Sequence, residues 1–257
     1  MSAREKLTAY LTIVIKEFLR FIRIWPQTLV PPVITTGLYI IIFGGLIGPR
    51  IGEMEGISYM QFIIPGLIMM SIITNAYANV VSSFYLAKYS HSIEEMLVSP
   101  LPNGIILLGY VSGGVARGLM VGALVLAVSL LFTDIQVHSL VVAVSITLLT
   151  AVLFSLAGFI NAIYANSFDD ISIIPTFVLT PLTYLGGIFY SISMLPDFWQ
   201  GVSKLNPILY MINAFRYAML GVSDIPLWIS YATIVGFIAA LFVAALWLLH
   251  SGKGIRS

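Results

Sequence analysis

The sequence predicts an all-α integral membrane protein of a single domain, residues 1–257, and three observations carry that prediction. Hydrophobic residues make up 59% of the chain and charged residues 9%, against roughly 25% charged in soluble domains. The mean hydropathy is +1.01. Six apolar stretches have the length of about 20 residues that a helix needs to cross a bilayer: Pro26 to Ile47, Tyr59 to Tyr85, Ile105 to Phe132, Ser139 to Tyr164, Ile171 to Tyr190 and Leu227 to Leu249.

The first element, residues 1–25, precedes the spans. Apolar residues recur at helical spacing (Leu7, Tyr10, Leu11, Val14, Phe18, Phe21, Ile22, Trp25), with Lys16, Arg20 and Arg23 on the opposite face. This is the pattern of a basic amphipathic helix lying in the membrane interface, its cations towards lipid headgroups. Pro26 then turns the chain into the bilayer. The charged start leads into this amphipathic segment, so no cleavable signal peptide is expected.

The second span carries a polar stripe of Ser71, Asn75, Asn79 and Ser82 on one helical face. Such residues either join helices or line a route for a partly polar molecule. The loop that follows, residues 86–104, has its own helix signal: Ser92 and Glu95 at capping-box spacing, with Pro100 and Pro102 as the stop. Ile93, Met96 and Leu97 are expected to form a small apolar knob beyond the membrane, suited to a partner's groove. In the third span Gly109, Gly113, Gly114, Gly118 and Gly122 predict close helix packing, and Arg117 is the ionisable group well inside it.

The short loop of residues 165–170 carries Asp169 and Asp170 with no compensating cation nearby in sequence. The fifth span offers Thr176, Thr180, Thr183 and Tyr184 beside Pro175 and Pro181. Between it and the last span, residues 191–221 remain apolar yet are broken by Pro, Gly and polar residues. Two short helices are expected, Pro196 to Lys204 and Pro207 to Leu220, each with Pro at its first position and the second capped by Asn206. Trp199, Tyr210 and Tyr217 suit interfacial depth, and Arg216 suits the negative end of the second helix dipole. Broken helices at membrane depth persist only when buried in protein or lining a wet cavity, which makes this a re-entrant hairpin beside a passage.

The net charge of +1 argues against nucleic acid as a partner. Arg4, Lys6, Lys16, Arg20, Arg23, Lys88, Lys253 and Arg256 fall on one side of a six-span topology, which places both termini in the cytoplasm by the positive-inside rule. The other side holds Arg50, Lys204 and Arg216. There is no cysteine, and His91, His138 and His250 lie at or beyond span ends, so no thiolate metal site, embedded Ser/His hydrolase or histidine metal site is expected. Carboxylates are expected nowhere inside the spans, unlike ion-coupled transporters, and no phosphate-binding Gly-x-x-x-x-Gly-Lys-Ser/Thr loop is present. Transport would then draw energy from a separate protein.

Two motif sets resemble the membrane subunit of bacterial type-2 ABC exporters, in the subgroup associated with drug and lipo-oligosaccharide export. One is Ile93-Glu94-Glu95-Met96-Leu97-Val98-Ser99-Pro100-Leu101. The other runs from Pro181-Leu182 through Gly187, Phe189-Tyr190, Leu195-Pro196, Leu205-Asn206-Pro207 and Tyr210 to Ala214-Phe215-Arg216. The resemblance implies a bacterial inner-membrane permease working as a pair of copies, expected to be a homodimer, with two ATPase subunits that hold ATP and magnesium; this chain itself binds no cofactor. It also implies a coupling helix (Ile93, Glu94, Glu95, Met96, Leu97, Pro100), a substrate path lined by Tyr39, Asn75, Asn79, Thr180 and Tyr184, and an exit hairpin using Pro196, Asn206, Pro207, Tyr210 and Arg216. One departure from the family pattern is that the coupling loop has only Lys88 as a basic residue. The alternative to an exporter subunit is a membrane scaffold that binds a cytoplasmic protein and moves nothing.

Overall fold

In the computed structural model, which describes residues 1–135 and 137–254, the chain is an antiparallel helical bundle. Arg256, counted above among the cations, lies outside the described residues. Helix α1 (Ala3–Arg23) leads through a tight corner into α2 (Trp25–Ile51), whose stretch Ile40–Ile47 is π-helical. A two-residue hairpin pairs Glu53–Met54 with Ile57–Ser58 and delivers the chain to α3 (Tyr59–Tyr89). Short α4 (Ser92–Val98) follows, then α5 (Asn103–Ser129) and α6 (Leu140–Tyr164). Helix α7 is built from three five-residue pieces, Asp170–Ile174, a π-helical Pro175–Leu179, and Thr180–Tyr184. Helices α8 (Asp197–Lys204) and α9 (Pro207–Leu220) form the hairpin, and α10 (Leu227–Ser251) ends the bundle.

Among the described residues, five helices are long and apolar enough to cross a membrane: α2, α3, α5, α6 and α10. The expected fifth span is the exception. Its pieces amount to about 22 Å at the α-helical rise, against about 30 Å of hydrocarbon. Pro175 and Pro181 each remove an N–H from the ladder, and the chain widens to π geometry between them.

Helix α3 is the axis of the fold, packed on α5, α6 and α9 and buried on nearly every side. The glycines of α5 explain how its neighbours come so close. A Cβ at Gly118 would touch Ala76 at 3.0 Å, and one at Gly122 would lie 2.7 Å from the Ile72 side chain, so this edge takes α3. A Cβ at Gly109 would overlap Ile13 and one at Gly113 would overlap Glu17, so the adjoining edge takes α1.

That docking changes the reading of α1. Its buried residues are Ile13, Glu17 and Phe21, one per turn, whereas Leu7, Leu11, Phe18 and Trp25 remain exposed. A carboxylate therefore enters the bundle from α1, outside the spans, and Arg20 turns inward beside it rather than towards headgroups. The capping box also sits elsewhere: Ser2 and Glu5 reciprocally cap α1 at 3.3 and 2.9 Å. Ser92 lies inside α4, where its hydroxyl donates back to the Ala87 carbonyl at 3.2 Å, and His91 in the left-handed conformation is the cap position.

Candidate functional site

Helices α2 and α3 enclose a cleft of about 230 Å³. Pro31, Thr35, Thr36 and Tyr39 line one wall, and Met70, Ser71, Thr74 and Asn75 the other. The walls are joined where Thr36 and Ser71 share a hydroxyl hydrogen bond at 3.2 Å. Pro31 and Pro32 start the long apolar part of α2 at helix positions that tolerate a missing N–H, leaving Thr35, Thr36 and Tyr39 on its cleft face.

Of the five pathway candidates, Tyr39 and Asn75 line this cleft, and Tyr184 reaches it from α7 through a 3.2 Å hydrogen bond between the Tyr39 and Tyr184 hydroxyls. Phe43 and Phe189 complete an aromatic group, their rings 4.7 Å apart and each about 6 Å from Tyr39. Thr180 is exposed but spends its hydroxyl on the Pro175 carbonyl at 2.9 Å. Asn79 is fully buried away from the cleft, because the inward-turned Arg20 bonds both its side-chain oxygen at 2.9 Å and its backbone carbonyl at 2.8 Å.

The region after α7 is held from three sides. Arg216, 1% exposed, lies with its guanidinium 3.9 Å from the centre of the Phe62 ring and donates to the Gly187 carbonyl. Tyr59 donates to the Phe189 carbonyl at 3.1 Å, and Ser191 donates to Asp224 at 3.2 Å. Arg216 thus fixes the turn instead of serving the end of α9, which Gly221 closes in the left-handed conformation. Asn206 does cap α9, accepting from the Ile208 N–H at 3.0 Å, while its amide donates to the Leu182 carbonyl of α7 at 2.6 Å. Pro207 takes the first helical position as expected, but Pro196 is the cap residue of α8 and Asp197 begins it. Tyr210 closes the corner between α8 and α9 by donating to the Lys204 carbonyl at 2.7 Å.

At the other end of α3, the apolar knob is only partly free. Ile93 is fully buried, since α4 lies back on the bundle, and Met96 and Leu97 are half-buried against the same core. The outward surface of α4 consists of Glu94, Glu95 and Val98, the last 87% exposed, followed by exposed Ser99 and Pro100. Beside it, Lys88 donates to the Ile163 and Ala165 carbonyls at 2.8 Å, while Asp170 accepts from the backbone N–H of Asn166 at 2.9 Å and of Ser167 at 3.1 Å.

Sequence reasoning did not single out Glu17. Its carboxylate accepts from Ser83 at 2.6 Å and pairs with Arg20 at 3.4 Å. The available signal was the spacing of Ile13, Glu17 and Phe21, one residue per turn beneath the small-residue edge of α5.

Residues 8–220 match the ABC-2 type transporter family. An inner membrane transport permease, YadH, of Escherichia coli K12 is 62% identical over 242 residues, 94% of each chain. Nodulation protein J of Rhizobium leguminosarum bv. trifolii is 27% identical over 185 residues, covering 72% of this chain and 71% of that protein. Nodulation protein J of Sinorhizobium fredii is 28% identical over 186 residues, 72% of this chain and 70% of that one. With five helices among the described residues long and apolar enough to cross a membrane, and a match over most of its length, the chain belongs to the ABC-2 type transporter family.

Proposed function

We propose that this chain is the permease subunit of an ATP-driven exporter of the bacterial inner membrane, paired with a second copy and driven by two separate ATPase subunits. Six crossings, with α7 and its turn as a short fifth, put both termini and α4 in the cytoplasm and the α8–α9 hairpin at the exit side. The hairpin's exit role rests on Pro196, Asn206, Pro207, Tyr210 and Arg216. The observation that carries the reading is that one rigid helix, α3, bears α4 at one end and the polar wall of the cleft midway. Displacing α4 by nucleotide-driven closure of a partner moves that wall. The cargo suited to a cleft of prolines, threonines and tyrosine is an amphiphile with both polar and apolar parts, lipid-like or glycan-bearing.

The free surface of α4 makes the test specific. Purified gently from its host, the tagged chain should bring down a stoichiometric ATPase. Val98→Asp and Met96→Asp should each abolish that recovery or its stimulation, without loss of the folded permease. The chain has no cysteine, so Val98→Cys can be crosslinked in intact membranes as a check on detergent loss. If crosslinking also captures no ATPase, the exporter reading fails and the scaffold takes its place.

A further inference from the structure

Two arginines from different helices meet the same face of α3, and together they secure the corner from which α2 rises. Arg20 of α1 holds Asn79 by its side-chain oxygen and backbone carbonyl and reaches Ser82 at 3.5 Å. Glu17, fully buried, fixes the Arg20 guanidinium from behind while accepting from Ser83 of α3. Arg117 of α5 donates to the Asn75 side-chain oxygen at 3.0 Å and to the Thr28 carbonyl at 3.5 Å. Thr28 in turn closes the α1–α2 corner through its hydroxyl to the Phe21 carbonyl at 2.9 Å. Asn75 belongs to both systems, since it lines the cleft and receives Arg117.

The mechanical consequence follows from where these bonds lie. Helix α4 is joined to α3 by two residues, with Ile93 buried against the bundle, so the two helices move together. Asn79 lies about three turns before the end of α3 and Asn75 one turn further. Helix α2 itself is largely exposed along its length, and its contacts to α3 near its start are few: the arginine bonds through the corner and the Thr36–Ser71 hydroxyl pair. Loss of the Arg20 contact would leave fully buried Glu17 without its cation, a costly state in a membrane protein.

We infer that Arg20 and Arg117 are positioning residues that make the root of α2 follow α3, so that displacement of α4 shifts both walls of the cleft together against α7 rather than being lost by slippage between the two helices. The inference rests on the proposed exporter reading, and the test separates the two. Spin labels on cysteines introduced at Ile34 in α2 and Phe177 in α7, both exposed, report the distance between these two helices in the permease–ATPase complex in lipid nanodiscs. The distance is read without nucleotide and with ATP and vanadate. The unmodified complex should show a nucleotide-dependent distance change. Arg20→Gln and Arg117→Gln should each lose it while ATP hydrolysis continues, and Arg20→Lys with Asn79→Asp, which replaces the amide contacts by an ion pair, should restore it. Should Arg20→Gln fail to assemble, Asn79→Leu breaks the same contacts from α3 and must give the same loss. A full distance change in the assembled Arg20→Gln or Asn79→Leu complex and in Arg117→Gln overturns the inference and leaves the exporter reading standing. No change in the unmodified complex overturns both.

Discussion

Helices α3 and α7 both reach the aromatic group around Phe189 and are built in opposite ways. Helix α3 is a continuous 31-residue helix that keeps its geometry through Pro65, is buried on nearly every side, and gives each residue of its polar stripe at least one hydrogen bond to a neighbouring helix or its own backbone. Helix α7 buries only Leu179 and Thr183, is interrupted by two prolines, and has a π-helical middle. The same residue types, Thr, Tyr and small apolar side chains, thus serve as internal joints in one helix and as an exposed edge in the other. What separates them is the partner surface: α3 lies against the glycine edge of α5, where backbones approach closely, whereas α7 touches the bundle at its two ends, through Ile171 against α3 and α6 and through Thr180–Tyr184 to Asn206 and Tyr39.

The most severe way to break this contrast is to push a side chain into the α3 seam. A Cβ at Gly158 of α6 would stand 2.6 Å from the Tyr77 carbonyl oxygen, an atom of the α3 backbone that cannot swing aside. Gly158→Val should destabilise the protein by about 3 kcal/mol, the upper part of the overpacking range, seen as a marked fall in the thermal unfolding midpoint of the purified chain. By contrast, Thr180→Val on exposed α7 exchanges one hydroxyl bond to its own helix for a methyl group and should leave the midpoint within about 0.5 kcal/mol of the original. Equal losses at the two sites would show that α7 is as firmly packed as α3.

A smaller effect separates the two roles of Asn206, the side chain that ties α7 to the hairpin. Asn206→Ala removes both the α9 cap and the donor to Leu182. It should cost about 2 kcal/mol, roughly 1 for the cap and 1 for the hydrogen bond. Asn206→Asp keeps an oxygen for the Ile208 N–H but has no N–H for the Leu182 carbonyl. Hydrogen exchange should therefore rise in α7 for both variants, and in the first turn of α9 only for alanine. Faster exchange at α9 in the aspartate variant would mean that the contact with α7, rather than the cap, holds the helix start.

How legible these features were in the sequence depends on which interaction fixes them. Five spans follow from length and hydropathy alone, and the Asn206-Pro207 helix start follows from local capping chemistry, so both were readable. Burial of Ile93 and Glu17 was not, because an amphipathic pattern gives the face of a helix but not what covers it. The basic face of α1 accordingly points to headgroups in the sequence; Lys16 and Arg23 do remain exposed, but the glycine edge of α5 seats α1 so that Arg20 turns inward. Asn75 and Asn79 look alike in sequence, one turn apart on one stripe. Only the placement of α1 separates a cleft wall from a buried joint. In α7 the prolines announced a break, but the shortness of the resulting helix depended on the turn that Arg216, Tyr59 and Asp224 hold.

The smallest effect tests whether the two helices communicate through the cleft at all. The Tyr39 and Tyr184 hydroxyls meet at 3.2 Å, each ring half-open to its surroundings, so the bond competes with solvent or lipid headgroup partners. Tyr39→Phe and Tyr184→Phe should each shift stability only slightly, and a double-mutant cycle should return a coupling of about 0.6 kcal/mol, the typical value for a side-chain hydrogen bond between membrane helices. The aromatic contacts with Phe43 and Phe189 survive in both variants, so the cycle isolates the hydroxyl pair. A coupling indistinguishable from zero would place α7 mechanically apart from α2 and leave Asn206 as the tie at that end of α7. A coupling above about 1.5 kcal/mol, near the largest found for such bonds, would instead make the tyrosine pair a closed latch across the cleft, one that any cargo must open to pass.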